Sequence, residues 1–202
     1  MCGEKGESVC HLVSECKKLA RKEYKRRHDN VARIIHWKLY ELHQLERKEK
    51  WYEHELDGVV ENGEVKPLWD MNSQCDNVVK ARRPDIIVVS KKDKKCIIVD
   101  IAIPGDSRIH EKEFEKIEKY QDLKWEIRRM WGITNVDVVP VVVGALGSVT
   151  KKLGKWIEKL GIRVRIGLLQ KTTLLGMARI LRKVFDFQLS GECPLGILGY
   201  LL

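Results

Sequence analysis

Two aspartates stand at matching ends of two neighbouring apolar runs. Arg82-Arg83-Pro84-Asp85-Ile86-Ile87-Val88-Val89 and Cys96-Ile97-Ile98-Val99-Asp100-Ile101-Ala102-Ile103-Pro104 flank the polar stretch Ser90-Lys91-Lys92-Asp93-Lys94-Lys95. Runs rich in Val and Ile around a polar turn read as a β-hairpin whose strands are buried on both faces. If Ser90 pairs with Lys95, the same register sets Asp85 opposite Asp100, with Cβ atoms roughly 4.5–5.5 Å apart. Two carboxylates that close repel each other and are costly to desolvate unless a cation lies between them. A hard divalent ion, Mg²⁺ or Mn²⁺, takes oxygen ligands and keeps waters able to attack a phosphodiester. The competing reading is two solvated residues, one starting a strand after Pro84 and one ending a strand before the Pro104-Gly105 turn.

The next element bears on that choice. Asp106-Ser107 offers a cap, and Glu111 and Glu113 put acid in the first turns of a predicted helix running to about 131–132. Ile109, Glu113, Lys116, Tyr120, Leu123, Ile127 and Met130 follow three-four spacing and form one stripe, apolar except at Glu113 and Lys116. Burying a lysine costs several kcal/mol unless something compensates. An ammonium on the core face of the element just after Asp100 is placed to point at the two aspartates.

These residues carry a resemblance. Arg83-Pro84-Asp85, fourteen residues, Asp100, and downstream Lys116-x-x-Lys119-Tyr120 resemble the restriction-like endonuclease region of site-specific non-LTR retrotransposon reverse-transcriptase polyproteins, a variant of the PD-(D/E)XK nuclease fold. The text Val99-Asp100-Ile101-Ala102-Ile103-Pro104-Gly105-Asp106-Ser107-Arg108 and Glu118-Lys119-Tyr120-Gln121-Asp122-Leu123 looks like the C-terminal end of those polyproteins, and the likeness covers most of the chain. In the general nuclease pattern a lysine follows the second acid by two residues, whereas position 102 is alanine. The resemblance implies that the lysine has moved to the helix as Lys116, with Lys119, about 60° further around, as second choice. The first helix of the wider fold often donates an acid, and Glu41, Glu46 and Glu53 stand equally open for that role. The implied activity is Mg²⁺-dependent nicking of a DNA insertion site.

The N-terminus carries a partial metal-ligand pattern. Cys2, His11 and Cys16 have the spacing of a zinc-knuckle remnant. The family's further cysteine would fall before Met1, leaving an incomplete zinc site and suggesting a fragment of a larger element. Ordinary residues of a frayed terminus are the alternative.

At 202 residues, with 44% hydrophobic and 33% charged content, the chain can form one sizeable core with small appendages. No apolar run reaches the roughly 18 residues of a membrane span, and the start lacks a signal-peptide core. No membrane partner and an intracellular, nuclear location are expected. The cysteines show no disulfide-framework spacing and should be reduced. The net charge is +9. Ten Lys and Arg between positions 145 and 189 face only Glu158 and Asp186, so nearly all the excess is C-terminal. DNA, or the element's RNA, is the natural partner for that concentration, through Lys151, Lys152, Lys155, Arg179, Arg182 and Lys183; a solvated basic face is the plain alternative. Arg82 and Arg83 read either as phosphate contacts beside the cut or as a solvated strand entry.

The remaining elements complete an α/β reading: a restriction-endonuclease-like core with a mixed sheet flanked by helices, plus N- and C-terminal helices. Asp29 or Asn30 should cap a helix over 31 to about 56 carrying His36, His43 and His54 on one face, too far apart to share a metal. Asn62-Gly63 signals a hairpin. The run 136–143 is a buried strand in which Pro140 marks a bulge or an edge. Thr150 can cap a short basic helix ending at Gly161, and a final helix covers about 171–187. Expected divisions are a knuckle remnant with basic helix over 1–29, a nuclease core over 30–148 and a basic helical extension over 149–202. A second subunit could cut the other strand. The rival functions are a non-catalytic nucleic-acid-binding fragment and an inactive structural remnant.

Overall fold

β-branched runs form the centre of the molecule because their stiff side chains pack well on a pleated surface. The structure, a computed structural model, describes residues 8–56, 58–70 and 83–189, with side chains to 186. The four strands are β1 (Val65–Trp69), β2 (Ile86–Ser90), β3 (Lys95–Ala102) and β4 (Asn135–Val142), lying in that order in one sheet. β1, β2 and β3 are antiparallel neighbours, and β4 joins β3 in parallel. The protein is therefore mixed α/β, with a four-stranded mixed sheet flanked by helices. Among the described residues β4 pairs only with β3, so Pro140 sits on an edge strand, where a missing N–H is tolerated. The Asn62-Gly63 signal is realised one residue later. Asn62 N–H donates to Val65 O (3.0 Å), making Gly63-Glu64 the turn, while the Asn62 carboxamide oxygen accepts from the Glu64 and Val65 amides.

Alternation along the strands sorts side chains to two faces. Ile86, Val88, Val99 and Ile101 join Val31, Ile34, Ile35 and Leu39 of α1 (Lys25–Leu42) in one core, together with Leu153, Ile157 and Leu160 from around α4 (Leu153–Lys159) and Leu169 of α5 (Ile166–Leu189). Residues on both sides of position 148 thus share that core. Ile87, Cys96, Ile98 and Val136 pack on the other face beneath Tyr120, Leu123 and Ile127. Here α2 (Ile109–Lys119) and α3 (Gln121–Trp131) replace the single predicted helix. The break falls at Tyr120 (φ −107°, ψ 12°), whose buried ring leaves the helical path for the core.

Three capping and length expectations are corrected. Asp29 and Asn30 lie inside α1, which begins at Lys25 and stops at Leu42 rather than near 56; Gln44 takes a positive φ of 53° and Leu45 N–H bonds Tyr40 O. The returning chain brings His54 back onto the helix, with its Nε2 2.8 Å from His36 Nδ1. Asp106 caps nothing through its side chain. Instead it accepts from the amides of Leu146 (2.8 Å) and Ser148 (3.0 Å). Gly144 makes room for it, since an added Cβ there would lie 2.5 Å from Asp106 Oδ1. Thr150 donates its hydroxyl to buried Glu113 rather than capping α4. Cys2, Arg82 and the segment 190–202 lie outside the described residues. Among those described, no helix is long and apolar enough to cross a membrane.

Candidate active site

β2 and β3 pair with Ser90 opposite Lys95 and Ile86 opposite Val99. The pairing ends there; Asp85 lies just before β2 and reaches the end of β3 through its side chain, accepting from the Ile101 amide at 2.6 Å. Asp100 falls on the face that carries Cys96 and Ile98, because side-chain direction repeats every second residue. Asp100 is 2% exposed. Its Oδ2 is in direct ion contact with Lys116 Nζ, while its Oδ1 accepts from the Tyr120 hydroxyl and lies 3.6 Å from Lys119 Nζ. Lys119 also donates to the Tyr120 oxygen at 2.8 Å. The structure thus brings together Asp85, Asp100, Lys116 and Lys119.

Tyr120 holds this cluster in place, and its role was not read from its apolar-stripe position. Burial, then the negative charge and hydrogen bond of Asp100, push its phenol well above the usual range, so it remains a donor to that carboxylate. The helix break supplies the geometry: Lys116 and Lys119 approach Asp100 from the last turn of α2 while the Tyr120 ring descends beside them.

Asp85 is held by a residue from α1. Its Oδ2 accepts from the Ile101 amide at 2.6 Å and lies 3.2 Å from His28 Nε2. His28 Nδ1 lies 3.1 Å from Asp29 Oδ1. Burial alone would lower the imidazole pKa, but the two carboxylates outweigh it and raise it to about 9. His28 is therefore an imidazolium clamped between two acids at neutral pH. The first helix contributes this base in place of the expected acid. Glu41 instead pairs with Lys38 and Arg47, Glu53 lies 3.7 Å from Lys50, and neither they nor Glu46 reach the site. The signal in the sequence was weak, because His28 sits in a charged run with no partner nearby except Asp29.

The site opens into a cleft of about 610 Å³. One wall is the end of β3 and the start of α2; the other comes from the N-terminal segment, including Val9, Val13 and Ser14. That segment, with π-type turns at His11–Glu15 and Ala20–Tyr24, is anchored by two residues. The Tyr24 hydroxyl donates towards the carbonyls of His11 (3.1 Å) and Leu12 (2.8 Å) and accepts from the Cys16 amide (3.1 Å). Buried Arg27 donates to Val13 O at 2.9 Å and contacts Met177 Sδ of α5 at 3.3 Å. His11 and Cys16 are both buried, Cys2 lies outside the described residues, and among the described residues no group of three metal-binding side chains forms around them.

Arg83 lines the cleft and reaches Asp70, with Nη2 2.7 Å from Asp70 Oδ2. The other residues expected on nucleic acid lie elsewhere. Lys151, Lys155 and Arg179 are exposed, Lys152 lies 3.9 Å from Glu113, Arg182 faces Asp186 at 3.6 Å, and Lys183 contacts buried Glu23. None of these six lines the cleft.

The donor set suits a small hard cation. Among the described residues no three His, Cys, Asp or Glu side chains form a metal-binding group. A divalent ion between Asp85 and Asp100 would therefore have two carboxylates and complete its shell with waters, the usual habit of Mg²⁺. A scan against protein-family models and a search of curated proteins both find nothing that matches this chain.

Proposed function

We propose that this chain is a metal-dependent DNA endonuclease with a restriction-like core, of the type that nicks the target site of a non-LTR retrotransposon. The observation that carries the reading is the convergence of Asp85, Asp100 and Lys116 in the lining of one cleft, from the entry to β2, from β3 and from the following helix. An acid pair beside a nearly buried ammonium costs stability, and such groupings concentrate at functional sites.

Asp85 and Asp100 would hold Mg²⁺ or Mn²⁺, which when bound supplies an acidified water and neutralises phosphate charge. Lys116 offsets the charge that builds on the phosphoryl oxygens, with Lys119 as a second cation at the same carboxylate. Tyr120 fixes the Asp100 rotamer by donating to Oδ1. His28 and the Ile101 amide fix Asp85 through Oδ2. The N-terminal segment forms the opposite wall of the cleft.

Incubating supercoiled plasmid with the protein and Mg²⁺ tests this. Nicking is expected, and Asp100→Ala or Lys116→Ala should lower its rate by about 10²–10³-fold or more. The direct contact of Lys116 with Asp100 also favours a second reading, in which a sealed ion pair leaves only a binding module. Salt-sensitive gel retardation with no nicking in Mg²⁺ or Mn²⁺ would select that alternative.

A further inference from the structure

Four cations recur along one side of α2 and the residue that precedes it: three on the helix and Arg108 at its N-cap. Arg108, Lys112, Lys116 and Lys119 are spaced four, four and three residues apart, so they stack on one face. All four line the same cleft. From Lys112 the next two members rise about 6 and 4.5 Å along the axis. The last two touch Asp100, and the first two extend the row away from it by one and two turns.

The two outer cations are not committed to the acid pair. Arg108 makes two 2.9 Å hydrogen bonds to Glu111, and Lys112 reaches Glu115 at 2.5 Å, both three residues on along the same helix. Glu111 and Glu115 are exposed. Exposed helical pairs of this kind are weak and screened by salt, so a phosphate can replace the carboxylate at little cost. Of the other acids in the cleft, Asp106 is bound to two backbone amides and Glu15 belongs to the facing wall. The basic residues of α4 and α5, by contrast, lie outside the cleft.

We propose that Arg108 and Lys112 form a phosphate track, continuous with Lys116 and Lys119, which seats the backbone of the DNA strand entering the acid pair, and that Glu111 and Glu115 are its displaceable counter-charges when no DNA is bound. The direction of the track rests on the nuclease reading; its binding role is measured without cleavage.

The experiment is anisotropy of a labelled DNA duplex over a KCl series in EDTA. Each phosphate contact contributes about 0.9 to the slope of log K against log salt, so Arg108→Ala with Lys112→Ala should reduce the slope by about 1.8. The same charge loss at Lys91 and Lys92, in the β2–β3 turn about 17 Å along the strand from the acids, should leave the slope unchanged. Glu111→Gln with Glu115→Gln should bind more tightly at low salt, which keeps the proposal testable should the first variant fold poorly. An unchanged slope in the Arg108/Lys112 variant overturns the track, as does an equal loss in the Lys91/Lys92 control. If the wild type nicks plasmid while that slope stays unchanged, the track alone falls. If the wild type binds no DNA at any salt, the nuclease reading falls with it.

Discussion

Replacing Lys116 with Met removes the ammonium that contacts Asp100 while keeping most of the apolar stem in place. Asp100 and Lys116 have side chains 3% and 16% exposed, so neither charge has much water to fall back on. Breaking a buried pair by deleting one partner costs about 3–5 kcal/mol. Lys119 at 3.6 Å and the Tyr120 hydroxyl remain on Oδ1, which reduces the expected loss to about 2 kcal/mol. For a chain of this size each kcal/mol moves the melting temperature by about 2–4 °C, giving a fall of about 4–8 °C. Thermal unfolding in EDTA measures it, and adding Asp100→Asn to the variant should recover most of the loss because the stranded charge is gone. Excess Mg²⁺ should then stabilise Lys116→Met more than wild type, since the ammonium and a divalent ion compete for one carboxylate. A melting temperature equal to wild type, or no gain in Mg²⁺ response, refutes the claim that Lys116 neutralises Asp100.

Two imidazoles, His28 half-buried and His36 buried, should shape the pH profile in opposite directions. His28, raised from its ordinary value near 6.5 to about 9, contributes stability that is complete below 6.5 and is lost as pH rises to 9, about 3 kcal/mol in all. His36 is pushed to about 3, by burial and then by His54, so its contribution is complete above 6.5 and is lost as pH falls towards 3. Urea unfolding across pH should therefore peak near pH 6.5; His28→Asn should flatten the alkaline limb and His36→Phe the acid limb, and limbs that persist in these variants contradict the assignments. Tyr120→Phe should cost about 1–2 kcal/mol by removing the donor on Asp100, with nicking reduced more than DNA binding, as gel retardation and plasmid assays can separate. Gly176→Ala should destabilise by about 1 kcal/mol in the same urea assay, because its Cβ would lie 2.7 Å from Arg27 Cγ, a clash larger than the helix-propensity gain; a stabilised variant would show that Arg27 can yield.

The sequence by itself determined the hairpin, its register and the face Asp100 takes. Those are local matters: side-chain direction alternates every residue, a short polar turn fixes the pairing, and Lys116 follows at helical spacing, so the acid–acid–amine grouping could be read from residues 85–116. It also marked Pro140 as consistent with an edge strand, because a residue without an N–H narrows the choices. What only the tertiary structure decided involves partners distant in sequence. His28 reaches Asp85 across 57 residues, Lys183 reaches Glu23 across 160, and His54 meets His36 only because the chain turns back after Leu42. The break at Tyr120 was hidden because its spacing fits an unbroken helical stripe, and burial of the phenol against Asp100 outweighs the helical preference of one residue. The place of the basic C-terminal residues was likewise left to the fold: composition counts charge, and only folding decides whether a cation enters the cleft or stands apart from it.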